Sequence, residues 1–276
     1  MATQSVATLK EKASELRVLV LDMLHEAKSG HPGGSLSMAE IVSALYFQEM
    51  KHDPQRPQWE DRDRFVLSKG HGIPAVYAAM AMTGYFPKEE LKTLRRTGAR
   101  LQGHPDRVRL PGIEASTGSL GQGLSVAQGI ALGLRLAKKD SRVFCVLGDG
   151  ESQEGQIWEA AMSIPKFKLG NLTAIVDYNK GQIDGHVKDV MDLEPLADKW
   201  RAFNWDVTVI DGHSFDELLP ALEKSRARGD KPRLILAHTV KGKGVSFMEG
   251  KVEWHGVVPN AEQKEKAIAE VRGGSK

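Results

Sequence analysis

The stretch Val143-Phe-Cys-Val-Leu-Gly148-Asp149-Gly150-Glu151-Ser152 runs from an apolar segment directly into Gly-Asp-Gly. We expect residues 142–147 to form a strand and residues 156–167 to form the helix that follows. In open parallel sheets, ligands bind beyond the carboxyl ends of the strands. Glycines at that place let the backbone approach a phosphate, and the free N–H groups of a helix start attract an anion.

An aspartate between the two glycines would repel a phosphate unless it holds a divalent cation. A second predicted strand, residues 172–177, ends in Tyr178-Asn179-Lys180-Gly181, and Asn179 follows Asp149 by thirty positions. Both strand ends lie on one edge of a parallel sheet. Asp149, Asn179 and a backbone carbonyl would supply oxygen ligands of the kind that Mg²⁺ accepts. The alternative is that Asp149 caps the next helix and Asn179 makes a turn.

Outward from this centre, predicted strands alternate with predicted helices, which indicates an α/β fold with one open, mostly parallel sheet and helices on both faces. We expect a single domain over residues 1–276. The helix over residues 121–139 is nearly apolar and is expected to be buried, and Ser37 with Glu40 forms a capping-box pattern for a helix after residue 37. The other predicted strands are 64–67, 206–210 and 233–239, and the other predicted helices are 9–27, 74–82, 87–95, 195–202, 214–228 and 261–271, the last followed by Gly-Gly-Ser-Lys.

The bulk composition excludes several function classes. The formal net charge is +2 and aromatic residues make up 6%, so no basic or aromatic surface for nucleic acid is indicated. No apolar run approaches the roughly 20 residues that span a bilayer. The single cysteine, Cys145, lies in an apolar run, where we expect a buried thiol. With no signal-like N-terminus, the sequence predicts a cytoplasmic protein.

Five further motifs, taken in order along the chain, make it resemble the transketolase family. The resemblance covers nearly the whole chain, and within that family it matches only the N-terminal, thiamine-diphosphate-binding (PP) domain. The motifs are Ser29-Gly-His31-Pro32-Gly33-Gly34, Ser68-Lys-Gly-His71-Gly72, Gly103-His104-Pro105, Thr117-Gly-Ser-Leu-Gly-Gln-Gly123 and Trp254-His255-Gly256.

This resemblance implies a site for thiamine diphosphate and a divalent metal, Mg²⁺ or else Ca²⁺ or Mn²⁺. The implied metal ligands are Asp149, Asn179 and the carbonyl of Gly181. The implied catalytic group is His31, His104 and His255, which handle the sugar, with Glu154, which matches a glutamate at the subunit contact. The residues implied to contact the cofactor are His71, Gly118, Ser119, Leu120, Gly150, Glu151, Asn179 and Lys241.

Taken singly, each histidine is also compatible with a turn-stabilising role, and Lys69 and Lys241 with solvated surface charges. Together they favour a site, because proton transfer on sugar hydroxyls needs groups that titrate near neutrality. Four of the histidines lie in Gly- or Pro-rich turns, where side chains often line a cleft.

The resemblance also implies a partner chain. The family's pyrimidine-binding and C-terminal domains do not match this sequence, and they contain the glutamate that activates the cofactor and the arginines that bind the sugar phosphate. We expect a split transketolase, an α₂β₂ heterotetramer with two-fold symmetry. Pentose-phosphate sugars are the expected substrates, and branched or sulfonated sugars are the alternatives. The segments 121–136 and 154–164 are the expected central contact. The alternatives are the α subunit of a 2-oxo-acid dehydrogenase, a deoxyxylulose-phosphate synthase, or a non-catalytic cofactor-binding or regulatory protein.

Overall fold

Strand β2 (Val143–Gly148) and strand β3 (Leu172–Tyr178) lie at the centre of a five-stranded parallel sheet. The computed structural model describes residues 4–227 and 229–274. The order across the sheet is β1 (Arg64–Leu67), β2, β3, β7 (Arg233–His238), β6 (Asp206–Asp211). The register places Gly148 opposite Asp177, so β2 and β3 end side by side.

A two-stranded antiparallel ribbon, β4 (Gly181–Gln182) with β5 (Gly185–His186), follows β3. Short 3₁₀ turns and one π turn connect the larger elements. In the described residues the α-helices are α1 (Val6–Ala27), α2 (Pro32–Ser37), α3 (Ala39–Ala44), α4 (Ile73–Thr83), α5 (Gln122–Leu136), α6 (Gly155–Lys166), α7 (Val187–Val190), α8 (Leu196–Ala202), α9 (Phe215–Glu223) and α10 (Ala261–Gly273).

Helices cover both faces of the sheet, and the side chains of β2 alternate between them. Phe144 and Val146 join a core with α1, α3, α4, α9 and α10. Val143, Cys145 and Leu147 join a second core with α5, α6 and α8. A parallel strand that is buried on both faces needs a continuous apolar run, and the sequence provides one. Burial also raises the pKa of the Cys145 thiol well above its usual value.

The predicted strands and the fold class are confirmed, but some local predictions are wrong. Ser37 ends α2 and caps no helix; its hydroxyl donates to Asp177 Oδ2 at 2.6 Å. Residues 88–93 form a 3₁₀ helix instead of the α-helix predicted over 87–95. Arg228, the predicted end of the helix over 214–228, lies outside the described residues, as does the end of the Gly-Gly-Ser-Lys tail.

Helix α5 is not buried on all sides, contrary to the sequence prediction. Leu124, Ala127 and Ala131 face the core, whereas Val126 is 39% and Leu136 75% exposed. Part of the exposed side is therefore apolar. Within the described residues no helix combines the length and the apolar character needed to cross a membrane.

The buried carboxylate of Glu151 joins the ends of three elements. It accepts hydrogen bonds from Ser68 Oγ after β1 (2.5 Å), from Gly121 N at the start of α5 (3.0 Å) and from Gly148 N at the end of β2 (2.9 Å). Glu151 is 3% exposed. All of these donors lie inside the protein, so they would lose their partner if the carboxylate were removed.

We predict that Glu151→Ala lowers the free energy of unfolding by about 2–4 kcal/mol, because buried donors left without acceptors are costly. Urea denaturation monitored by circular dichroism measures this change. Glu154→Ala is the matched control, since Glu154 is an exposed carboxylate three residues away and its loss should change stability by less than about 0.5 kcal/mol. Equal effects of the two substitutions would contradict the structural function given to Glu151.

Candidate active site at the carboxyl edge of the sheet

Three groups whose oxygens are candidate metal ligands lie close together where β2 and β3 end. The Asp149 carboxylate accepts from Gly150 N at 2.8 Å and from Lys180 N. Gly181 N donates to Asn179 Oδ1 at 3.1 Å. These bonds tie the carboxylate, the amide and the 179–181 backbone into one turn, which we call the donor turn. The structure thus brings together the predicted metal ligands Asp149, Asn179 and Gly181.

The electrostatics of Asp149 suit a cation. The residue is 2% exposed. Burial, and next the nearby Asp177 carboxylate, raise the pKa of Asp149 to about 6. A divalent cation would offset both the lost hydration and the repulsion between the two carboxylates. The donor set of one carboxylate, one amide oxygen and one carbonyl is of the type that Mg²⁺ and Ca²⁺ accept, so these residues fit a metal.

Asp177, the residue before Tyr178 on β3, is fully buried and holds the edge together. Its Oδ2 accepts from Ser37 Oγ at 2.6 Å, from Asn179 Nδ2 at 2.9 Å and from Lys69 Nζ. Its Oδ1 accepts from Thr239 Oγ1. Burial acts to raise the pKa of Asp177, but the Lys69 ammonium and the hydroxyl donors hold it below its usual range.

Lys69 and Lys241 are not solvated surface charges, because the structure leaves them 1% and 2% exposed. Lys69 Nζ pairs with Asp177 and donates to Gly34 O at 2.9 Å. Lys241 Nζ lies 3.1 Å from Gly181 O and 3.1 Å from His255 Nδ1. Burial, followed by repulsion from Lys69, lowers the pKa of Lys241 to about 8. Two buried ammonium groups beside the donor turn suit a ligand with several negative charges.

Four histidines form a cluster that begins beside Lys241. The His71 and His255 ring centroids are 5.1 Å apart, those of His31 and His71 5.3 Å, and those of His31 and His255 5.5 Å. His104 follows at 6.3 Å from His31. These residues come from four separate turns, so only the fold brings them together. His31 Nδ1 is buried and has no hydrogen-bond partner in the described part of the chain.

All four imidazoles have lowered pKa values, which differs from the expectation of groups that titrate near neutrality. Burial and then Arg95 lower the pKa of His31 to about 4, and burial and then Lys241 lower that of His255 to about 3. Burial and Lys69 lower the pKa of His71, and burial and Arg95 lower that of His104. At neutral pH the cluster therefore consists of neutral imidazoles, each with one donor and one acceptor nitrogen.

Of the remaining predicted residues, one contacts the histidine cluster. Gly118 lies against His104, because a Cβ built on Gly118 would come within 3.1 Å of that ring. Ser119 is exposed and Leu120 half-buried on the same loop, and Gly150 begins the short 3₁₀ helix after Asp149.

The two predicted glutamates lie apart from the histidines. The Glu151 carboxylate bonds inside the protein, so the predicted cofactor contact through it is not supported. Glu154 is exposed and packs against Gly121, at the start of α5. That position is compatible with a subunit contact. It does not support a function of Glu154 in proton transfer on a sugar.

Sequence reasoning missed Asp177, Ser37 and Thr239 as site residues. Asp177 was predicted only as the last residue of an apolar strand. A carboxylate that follows five buried positions (172–176, all apolar except Thr173) is the signal that could have revealed it, since a lone buried charge requires partners.

We predict that His31 and His255 stay neutral in the folded chain far below the ordinary histidine value near 6.5. Long-range ¹H–¹⁵N NMR of the imidazoles between pH 8 and 4 measures this, with His31→Gln and His255→Gln used to assign the signals. Between pH 6.5 and about 4 the unfolded chain binds protons at these residues and the folded chain does not. Their contribution to stability is therefore lost as pH falls through that window. Midpoints near 6.5 for both signals would contradict the assignment.

Comparison with known proteins agrees with this geometry. Residues 8–273 match the family model described as transketolase, thiamine diphosphate binding domain. The chain is 50% identical over 263 residues to the 6-deoxy-6-sulfo-D-fructose transketolase subunit SqwG of Clostridium sp. (strain MSTE9), covering 95% of this chain and 96% of that protein. It is 43% identical over 266 residues to one of the subunits of apulose-4-phosphate transketolase from Phocaeicola vulgatus, covering 96% and 94%.

Longer transketolases match along part of their length. Human transketolase is 39% identical over 271 residues, which cover 97% of this chain and 42% of the human protein. The crystal structure of transketolase from Campylobacter jejuni superposes with a TM-score of 0.92 at 35% identity, covering 98% of this chain and 43% of that one. The matched family model, these relatives and the shared fold show that the chain belongs to the transketolase family, as its N-terminal thiamine diphosphate-binding domain.

Proposed function

We propose that this chain is the cofactor-binding subunit of a two-chain transketolase. With a partner subunit, it transfers a two-carbon ketol unit from a ketose phosphate to an aldose phosphate. The observation that carries this proposal is that Lys241 contacts both the donor turn and the cluster of four histidines. A protein that only bound a diphosphate and a metal would need the donor turn and Lys241 but not the whole histidine cluster.

The metal and the diphosphate are assigned to the donor turn. Asp149, Asn179 and the Gly181 carbonyl would hold Mg²⁺, and His71 and Lys241 would face the diphosphate oxygens. When bound, thiamine diphosphate supplies the carbon nucleophile and the electron sink for breaking the ketose C2–C3 bond. The residues of this chain bind and orient the diphosphate end, while the glutamate that activates the ring is expected on the partner.

The histidines His31, His104 and His255 are assigned to the sugar. As neutral imidazoles they can donate one hydrogen bond and accept another from neighbouring hydroxyl groups without adding a charge. The buried and unpartnered His31 Nδ1 is an available position for such a bond within the described residues. Neighbouring imidazoles of this kind can also move a proton between hydroxyl and carbonyl oxygens of the sugar.

The substrate is proposed to be a ketose with an anionic terminal group. The relatives are named for 6-deoxy-6-sulfo-D-fructose and for apulose-4-phosphate, sugars with a sulfonate and a phosphate. A ketose phosphate is our first assignment. The 50% identity to a protein named for the sulfonated sugar makes a sulfonated ketose the second candidate.

The partner is proposed to supply the pyrimidine-binding and C-terminal domains in an α₂β₂ assembly. Full-length transketolases are more than twice as long as the region that this chain matches. The exposed apolar side of α5, with Val126 and Leu136, and the exposed Met162 on α6 would be covered in that assembly. The same contact would bury Glu154.

Reconstitution tests the proposed function. The chain is mixed with the candidate partner, thiamine diphosphate and Mg²⁺, and ketol transfer is assayed with phosphorylated and sulfonated ketoses. Transfer only in the presence of both chains supports the proposal, and the preferred ketose decides the substrate class. Cofactor binding without transfer from any ketose would favour the non-catalytic alternative, and decarboxylation of a 2-oxo acid would favour the dehydrogenase alternative.

We predict that Asp149→Ala abolishes the Mg²⁺-dependent part of cofactor binding. The dissociation constant of thiamine diphosphate should rise at least about 100-fold, or about 2.7 kcal/mol, because the one carboxylate ligand is lost. Isothermal calorimetry with Mg²⁺ and with EDTA measures it, and Glu154→Ala is the control with an exposed carboxylate removed. Unchanged affinity in Asp149→Ala would refute the metal assignment.

We predict that His31→Ala slows turnover and leaves the cofactor in place. Loss of a group that handles the sugar should lower kcat about 10²–10⁴-fold, while thiamine diphosphate affinity stays within about threefold, or about 0.65 kcal/mol. Steady-state kinetics of the reconstituted enzyme and calorimetry measure the two quantities separately. A large loss of cofactor affinity with little change in kcat would place His31 on the diphosphate instead.

A further inference from the structure

Four consecutive residues after β7 are each held by a different part of the protein. Thr239 donates from its hydroxyl to Asp177, and Val240 N donates to His213 Nε2 at 2.9 Å. Lys241 Nζ reaches Gly181 O, and Gly242 N donates to Gly33 O at 3.0 Å. The backbone on both sides of Lys241 is therefore fixed, by His213 before it and by Gly33 after it.

The position of the Lys241 side chain depends on this backbone. Its stem lies against Gly33, where an added Cβ would come within 2.9 Å of Lys241 Cγ. Its ammonium stands between Gly181 O and His255 Nδ1. A shift of the Val240–Lys241 peptide would therefore move the ammonium away from both the donor turn and His255.

His213 is the acceptor of the hydrogen bond from Val240 N. It follows β6, and its own backbone N–H donates to Asp211 Oδ1 at 2.9 Å. Because Val240 N is a donor, Nε2 of His213 must be the unprotonated nitrogen, and Nδ1 then bears the hydrogen. That hydrogen points to Glu40 Oε2, 2.9 Å away.

Glu40 is in turn held by a bidentate pair with Arg17, at 2.6 and 2.7 Å. Arg17 also donates to Leu36 O at 3.1 Å, which joins α1 to α2. The side chains of Arg17 and Glu40 are 8% and 10% exposed and that of His213 is 14% exposed. The imidazole is therefore fixed in one tautomer and one orientation by a buried charge pair.

We propose that His213 is a positioning residue for the active site: by accepting the Val240 N–H, it places the Lys241 ammonium at Gly181 O and His255. The hydrogen bonds of the His213 side chain go to Val240 N and Glu40, so its effect on the site passes through Lys241. The effect of His213 on cofactor binding, the functional half of this inference, rests on the proposed function. The placement of Lys241 by His213, the geometric half, does not.

Two substitutions separate the two hydrogen bonds of His213. In His213→Gln the longer amide keeps an acceptor within reach of Val240 N. In His213→Asn the shorter amide keeps a donor to Glu40 and loses the contact with Val240. We expect the Asn variant to exchange the amides of residues 239–245 faster than wild type, and the Gln variant to retain their protection. Hydrogen exchange measured by mass spectrometry on the full chain reads this out without any cofactor.

The functional readout is the dissociation constant of thiamine diphosphate with Mg²⁺, measured for the chain together with its partner subunit. We expect about a tenfold increase in His213→Asn, equal to about 1.4 kcal/mol, and less than a threefold change in His213→Gln. In a Lys241→Met background, His213→Asn should cause no further loss, because the effect passes through the lysine. Trp205→Phe is the control, since it removes a buried hydrogen bond to Ala161 O on the other face of the sheet.

Several results would overturn the proposal. These are free exchange of the Val240 amide in wild type, equal behaviour of the Asn and Gln variants, or an undiminished Asn effect in the Lys241→Met background. The wild-type measurement needs no variant, so it decides the geometric half even if a substitution prevents folding. Absence of cofactor binding by wild type with its partner would instead count against the proposed function, while the exchange result would still test the positioning.

Discussion

The fully buried carboxylate of Asp177 lies where the second and third strands of the sheet end, and its four donors come from four parts of the chain. Lys69 follows the first strand, Ser37 ends the second helix, Asn179 begins the donor turn and Thr239 follows β7. An uncompensated charge at 0% exposure would cost several kcal/mol, so these partners must be present together for the fold to be stable. The same requirement brings the loops of the active site to one edge of the sheet.

From this constraint follow the electrostatics of the site. Lys69 pairs with Asp177, which leaves Lys241 as the ammonium in contact with both the donor turn and a histidine. Burial lowers the pKa of all four imidazoles, and positive charges add to it: Lys69 and Lys241 act on His71 and His255, and Arg95 acts on His31 and His104. Burial and the neighbouring Asp177 charge raise the pKa of Asp149. An anionic cofactor with its metal would satisfy both groups at once: the metal offsets the carboxylates and the diphosphate offsets the lysine. The site is in this sense arranged for a ligand that contains both signs of charge.

The sequence predicted those features that depend on local pattern. The predicted strands agree with the structure to within about one residue, since β2 and β3 need unbroken apolar runs. Asp149 and Asn179 were predicted to lie together because the carboxyl ends of parallel strands meet on one edge. Features that depend on tertiary partners were missed. Ser37 resembled a helix cap by spacing, but the fold gives its hydroxyl to Asp177. Lysines are usually solvated, and only the folded chain shows Lys69 and Lys241 enclosed. The apolar helix α5 was expected to be buried, yet the described structure leaves Val126 and Leu136 on its outer side exposed.

The central claim is that the edge organised by Asp177 is a metal–diphosphate site. The most direct measurement is the anomalous diffraction of Mn²⁺ in crystals of the chain with its partner subunit, grown with thiamine diphosphate and Mn²⁺. We expect an anomalous peak bonded to the Asp149 carboxylate, the Asn179 amide oxygen and the Gly181 carbonyl, next to the diphosphate. Bound cofactor with no peak at these three oxygens, or with its diphosphate at another edge of the sheet, would contradict it.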